Sequence, residues 1–141
     1  MTPNTLNAPC TPDYASLMEE ARQALDLAYA PYSRFKVGAA VLTDKGKMVK
    51  GCNIENSSFG LSICAERVAV FAALSGNSGN PVAIAVAGTP GTPCVPCGAC
   101  LQVLAEFAPD LVLILENNDS MLVYRMEDLL PHRFRFEGET R

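Results

Sequence analysis

The sequence of 141 residues has one histidine, no run of positive charge and no long apolar stretch, and each shortage narrows what the protein does. No apolar run approaches the roughly eighteen residues needed to cross a bilayer. The opening MTPNTLNAPC has neither the basic cluster nor the apolar centre of a secretion signal. It reads as a frayed leader over residues 1–11 and points to the cytoplasm. With 11 Lys and Arg against 15 Asp and Glu, the net charge of −4 disfavours a long phosphate backbone. The expected partners are small molecules; no nucleic acid polymer and no membrane is expected. Internal repeats, low-complexity blocks and linkers are absent, and 141 residues suit a single domain spanning 1–141.

Apolar residues make up 49% of the chain, and their spacing predicts the elements. From Pro12 to Ala30 they recur at helical spacing, with Thr11 the candidate cap, Pro12 in the first turn and Pro31 the stop. KVGAAVLTD and KMVKGCNI flank Lys45 and Gly46 and read as a hairpin. Ser62 is the expected cap of a helix through CAERVAVFAALSG that closes on Gly76. PVAIAVAGT is apolar on both faces, as a strand covered on both sides would be. CGACLQVLAEF then reads as a helix before the strand LVLILEN. Only Asn118, Asp119 and Ser120 separate LVLILEN from MLVYRM, too few for a parallel crossover, so the last two strands are expected to be antiparallel. The fold class is α/β, a three-layer αβα sandwich with a mixed five-stranded sheet.

Four of the 6 cysteines are grouped in a way that suits a metal or thiol site better than disulfides. Cys10 and Cys52 stand apart and read as a tail thiol and a small strand hydrophobe. PCVPCGAC offers two C-x-x-C pairs, Cys94 with Cys97 and Cys97 with Cys100, each preceded by proline. The second pair lies at a predicted helix start, where the helix dipole and free backbone N–H groups favour thiolates. Cys64-Ala65-Glu66 begins another predicted helix, so three thiolates can converge. Three protein ligands leave the fourth tetrahedral position of Zn²⁺ to water, the layout of a catalytic site. Glu66, two residues after Cys64, is close enough to reach that water without binding the metal. In isolation Glu66 would be a solvated charge, Arg67 a surface ion-pair partner and His132 a surface residue.

Cys64-Ala65-Glu66 followed by Pro96-Cys97-Gly98-Ala99-Cys100 resembles the signature of the zinc-dependent nucleoside deaminases. YAPYSRFKVGAA, GCNIEN, CAER and LLPHRF extend the resemblance over most of the chain, to the small cytidine deaminases that use three cysteines. It implies a cytidine deaminase-like fold and one Zn²⁺ per subunit on Cys64, Cys97 and Cys100, with Cys94 a bystander. By resemblance, zinc supplies hydroxide that attacks C4 of cytosine. Glu66 takes the released proton, delivers it to N3 and helps protonate the departing amine. The products are uridine from cytidine, or deoxyuridine from deoxycytidine, and ammonia, in pyrimidine salvage.

The resemblance also assigns supporting residues. Arg67 matches an arginine that donates to ligand sulfur, Asn53 and Glu55 match residues that bind the ribose hydroxyls, and Phe35 matches a pocket aromatic. Ala65 offers a backbone N–H to the pyrimidine. Phe134 matches a phenylalanine that enters a neighbouring subunit's site, which implies a homotetramer; the other expectation is that Phe134 and Phe136 cover this chain's own core. Many relatives carry a second arginine where this chain has Leu101, so Leu101→Arg is expected to move the acidic limb of the pH profile to lower pH. Two alternatives stand beside this reading. One is a deaminase of another aminated nucleoside such as blasticidin S. The other is a non-catalytic zinc or thiol protein built on Cys94, Cys97 and Cys100, which has no need of Glu66.

Overall fold

Leu17, Met18, Ala21 and Ala24 bury one stripe of the first helix, α1, which runs from Tyr14 to Leu25. In this computed structural model, which describes residues 13–138, Asp13 caps α1 by accepting a hydrogen bond from the Ser16 amide at 3.0 Å. The span is shorter than the expected 12–30. After Asp26 the chain turns, and Tyr29 forms a parallel bridge with Ile54, a pairing that needs extended backbone. Thr11, Pro12, Cys10 and the leader lie outside the described residues.

Strands β1 (Gly38–Thr43) and β2 (Met48–Cys52) form the predicted hairpin, with Gly46 at φ 75° in its turn. A 3-10 turn at Phe59–Leu61 leads to helix α2 (Ala65–Ser75), whose N-cap is Cys64 and not Ser62. The reason is local: Ile63 exchanges both backbone hydrogen bonds with Ile54 at 3.0 Å, which holds the chain extended up to Cys64. The Ser62 hydroxyl instead accepts from the Asn56 amide at 3.1 Å. Then come β3 (Pro81–Ala87), α3 (Gly98–Phe107), β4 (Val112–Asn117), β5 (Ser120–Arg125) and a short α4 (Met126–Leu129).

The five strands lie in the order β2-β1-β3-β4-β5. Pairs β1/β2, β1/β3 and β4/β5 are antiparallel, and β3/β4 is parallel with α3 as its crossover. Strand β3 is central and buried on both faces. Ala83, Ala85 and Ala87 meet α1, while Ile84 and Val86 face the larger core formed with α2 and α3. The three layers and the mixed sheet match the expectation, as does the closing hairpin.

Two glycines set how close the helices come. A Cβ on Gly38 would run into the Ala21 carbonyl and lie 3.0 Å from Leu25 Cα, so α1 rests directly on β1. A Cβ on Gly51 would lie 2.7 Å from the Ala65 carbonyl oxygen and 2.8 Å from Ala69 Cα, so the first two turns of α2 rest on β2. Among the described residues no helix is long and apolar enough to cross a membrane.

Candidate active site

Helices α2 and α3 lie on the same face of the sheet and bring their N-termini together. Cys64 is the N-cap of α2 and Cys97 the N-cap of α3, with Cys100 in the first turn of α3. Their sulfurs all lie within 4.8 Å of one another. That spread is close to the length of two Zn–S bonds of about 2.3 Å each. Among the described residues, no fourth His, Cys, Asp or Glu belongs to the group. The donor set therefore fits a soft or borderline cation such as Zn²⁺ held by three protein ligands.

The electrostatics favour thiolates at this point. Although burial opposes ionisation of Cys97, hydrogen bonds from the Cys100 and Ala99 amides and from the neighbouring thiols bring its pKa below the ordinary value. Arg67 Nη2 donates to Cys64 Sγ at 3.4 Å, and the guanidinium also hydrogen-bonds Cys100, which raises its own pKa. Arg67 is thus turned inward to sulfur, and its Nε is buried without a partner. Those contacts, not an ion pair, account for its position.

Glu66 is only 4% exposed, unlike a solvated helix charge. Burial pushes its carboxyl above the ordinary range, only partly offset by its own amide and by the charge of Arg67. Ala65, fully buried, opens α2, so its N–H belongs to the helix's first turn and has no intrahelical acceptor.

Phe35, Asn53 and Glu55, the residues expected to meet substrate, come from the loops flanking the first hairpin. Asn53 Nδ2 donates to the Phe35 carbonyl at 2.8 Å and Asn53 Oδ1 accepts from the Val37 amide at 2.9 Å, so this side chain clamps the segment that carries Phe35. Glu55 Oε1 accepts from the Tyr32 and Ser33 amides at 3.0 and 3.1 Å. It lines a surface pocket of about 340 Å³ with Tyr32, Ser33, Phe59 and Ser62. The Phe134 ring is 72% exposed and that of Phe136 is 85% exposed, so neither covers the chain's own core. Gln102 of α3 donates to the Phe134 carbonyl at 3.0 Å, tying that stretch of backbone to the helix bearing Cys100. His132 is exposed, and Cys52 ends β2 half-buried.

Two further positions bear on the site. Leu101 is 7% exposed and packs in the main core, so an arginine there would enter an apolar interior before it could tune the sulfurs. Cys94 stays outside the sulfur trio, as expected of a bystander to the metal, and packs against Gly88 just beyond β3, where the Phe35 ring also lies. The signal was present in the spacing C-x-x-C-x-x-C, which keeps Cys94 within three residues of Cys97.

Residues 12–116 match the family model described as the cytidine and deoxycytidylate deaminase zinc-binding region. The chain belongs to this deaminase family. Among its deaminase relatives, the cytidine deaminase of Halalkalibacterium halodurans is 46% identical over 127 residues, covering 89% of this chain and 96% of that protein. The cytidine deaminase of Mycobacterium tuberculosis is 44% identical over 129 residues, covering 92% and 95%. The crystal structure of cytidine deaminase from Burkholderia pseudomallei superposes with a TM-score of 0.80 at 47% identity, covering 86% of this chain and 98% of that one. A blasticidin-S deaminase from Bacillus cereus is more distant, at 26% identity over 126 residues.

Proposed function

We propose that this deaminase converts cytidine, and deoxycytidine, to uridine or deoxyuridine and ammonia, in pyrimidine salvage in the cytoplasm. The observation that carries the reading is a trio of sulfurs within 4.8 Å at two helix N-termini, with a buried Glu66 in the first turn of α2. Cys64, Cys97 and Cys100 would hold the zinc, which would supply a nucleophile near neutral pH by lowering the pKa of its bound water. Every other task falls to the chain's own groups.

Glu66 moves the proton. Its carboxylate accepts it from the attacking water, hands it to N3 of the pyrimidine and later assists the departing amine. Burial suits that role, because a carboxyl with a raised pKa holds a proton readily enough to pass it on. Arg67 donates to sulfur and offsets the negative charge of three thiolates. Phe35 stacks on the base and the Ala65 N–H meets the pyrimidine edge. Asn53 and Glu55 retain hydrogen-bonding capacity beyond their backbone contacts, which serves the ribose hydroxyls.

The exposed Phe134 fits a role on a neighbouring subunit, and we extend the proposal to a homotetramer of single-domain chains whose sites are completed by neighbours. Uridine and ammonia formation from cytidine, read beside zinc content, tests the activity. Glu66→Gln should lose on the order of 10²–10⁴ in kcat while keeping zinc and fold. A zinc-loaded wild type that leaves cytidine intact but deaminates blasticidin S would replace this reading with the other.

A further inference from the structure

A glycine ends β3's run into the site, and two side chains from different loops rest on it. A Cβ placed on Gly88 would stand 3.0 Å from Cys94 Cβ, 3.1 Å from Cys94 Sγ and 3.4 Å from Phe35 Cζ. The bare backbone of Gly88 therefore leaves just the space that Cys94 and the Phe35 ring fill together. The two arrive from opposite directions: Phe35 from the loop before β1 and Cys94 from the loop before α3. Backbone clamps hold the Phe35 main chain, with Asn53 on its carbonyl and the Ser33 hydroxyl on its amide at 3.0 Å. Those bonds hold only the main chain; Phe35 is 47% exposed, and the tip of its ring lies against Gly88 beside Cys94.

Cys94 also lies close to the reacting groups. Its thiol is half-buried against the main core, and the charges of Glu66 and Cys64 both act on it. Glu66 itself is 4% exposed, so Cys94 lies near a buried carboxyl as well as near the Phe35 ring. A sulfur beside an aromatic edge is a favourable and adaptable contact.

We propose that Cys94 is a positioning residue for the nucleoside base: packed with Phe35 on Gly88, it sets the tilt of that ring and so the fit of the pyrimidine. This rests on the nucleoside reading of the site. It makes Cys94 a part of substrate recognition and not a metal ligand.

The test compares Cys94→Ala, Cys94→Leu, Gly88→Ala and the pair Gly88→Ala with Cys94→Ala. Loss of the sulfur or a bulky replacement should raise KM for cytidine by about tenfold, with kcat within about twofold of wild type. The Kd of uridine, measured by equilibrium dialysis, should move in parallel. Gly88→Ala should raise KM likewise, and adding Cys94→Ala should restore part of the loss, because removing Sγ frees the contact at 3.1 Å. Zinc content should not change in any of them. Unmoved KM and uridine affinity in both Cys94 variants would overturn the inference, as would a loss of zinc or a fall in kcat alone. If Gly88→Ala does not fold, the two Cys94 variants still decide it. Wild type is assayed first: failure to make uridine there sinks the functional reading, whereas normal turnover with silent Cys94 variants sinks this inference alone.

Discussion

Position 101 illustrates how one side chain answers to its surroundings. As a sequence position it follows the last ligand cysteine and invites an electrostatic role, but its side chain packs in the core at 7% exposure. A guanidinium there loses its hydration, and the surrounding core of this chain is apolar. Leu101→Arg is expected to lower stability by about 2–4 kcal/mol, read as a fall in Tm, before any change in the pH profile can be resolved. Glu55 is a second case. Hydrogen bonds from the Ser33 hydroxyl and then from the Ser33 and Tyr32 amides hold its pKa below the ordinary carboxylate range. A depressed pKa contributes stability above the unfolded value of about 4.3, and the contribution is lost as pH falls through the lower folded value. Amide exchange at Tyr32 and Ser33, followed across that window, should show extra protection disappearing in wild type and no such step in Glu55→Ala.

The residues proposed for the chemistry were legible because their types and spacings are tied to bonding: three sulfurs, a carboxyl beside one of them, and helix starts to hold them. Contacts between loops were not. Asn53 reads as a polar residue at a strand end, and nothing in its neighbours along the chain reveals that it grips Phe35 and Val37. The contact of Cys94 with Gly88 was hidden for the same cause, since Gly88 matters through the absence of a side chain.

Among the elements, α2 matters most, because its N-terminus carries both Cys64 and Glu66. Gly51 decides its distance from the sheet. Gly51→Ala puts a methyl group against the Ala65 carbonyl and Ala69, which overpacking data price at about 1–3 kcal/mol. Because the displaced turn holds Cys64, zinc retention against a competing chelator should fall as well. Gly38→Ala, which presses on α1 far along the chain from the cysteines, should lose comparable stability but keep its zinc. Equal zinc loss in both would mean that α2 is not placed by this contact. Periodicity gave α2, α3 and every strand, yet it overran the end of α1 and misplaced the cap of α2. In both cases a single bridge to Ile54 held the backbone extended, and such a long-range pairing has no local pattern. The short α4 was missed because four residues carry too little periodicity to see.

At the scale of the molecule, the sulfur trio ties α2 to α3 across the top of the larger core. Removing the cation should lower Tm, expose Cys64, Cys97 and Cys100 to a thiol reagent, and be reversed by one equivalent of Zn²⁺ per chain. A Tm indifferent to chelation would show that packing alone holds the two helices together. The sheet order was harder to read than the strands, since β3 is inserted between β1 and β4 and only the two short links, β1–β2 and β4–β5, fixed pairings from the chain alone.

That insertion has a consequence for how the protein acquires its metal. Cys97 and Cys100 are neighbours and can meet early, but Cys64 precedes β3 in the chain and reaches them only when β3 has paired with β1 and the start of α3 has come back beside α2. Closing so long a loop is slow compared with forming a helical turn. Tight capture of the ion is therefore a late event in folding, and a nascent chain still short of α3 has only one of the three sulfurs to offer it.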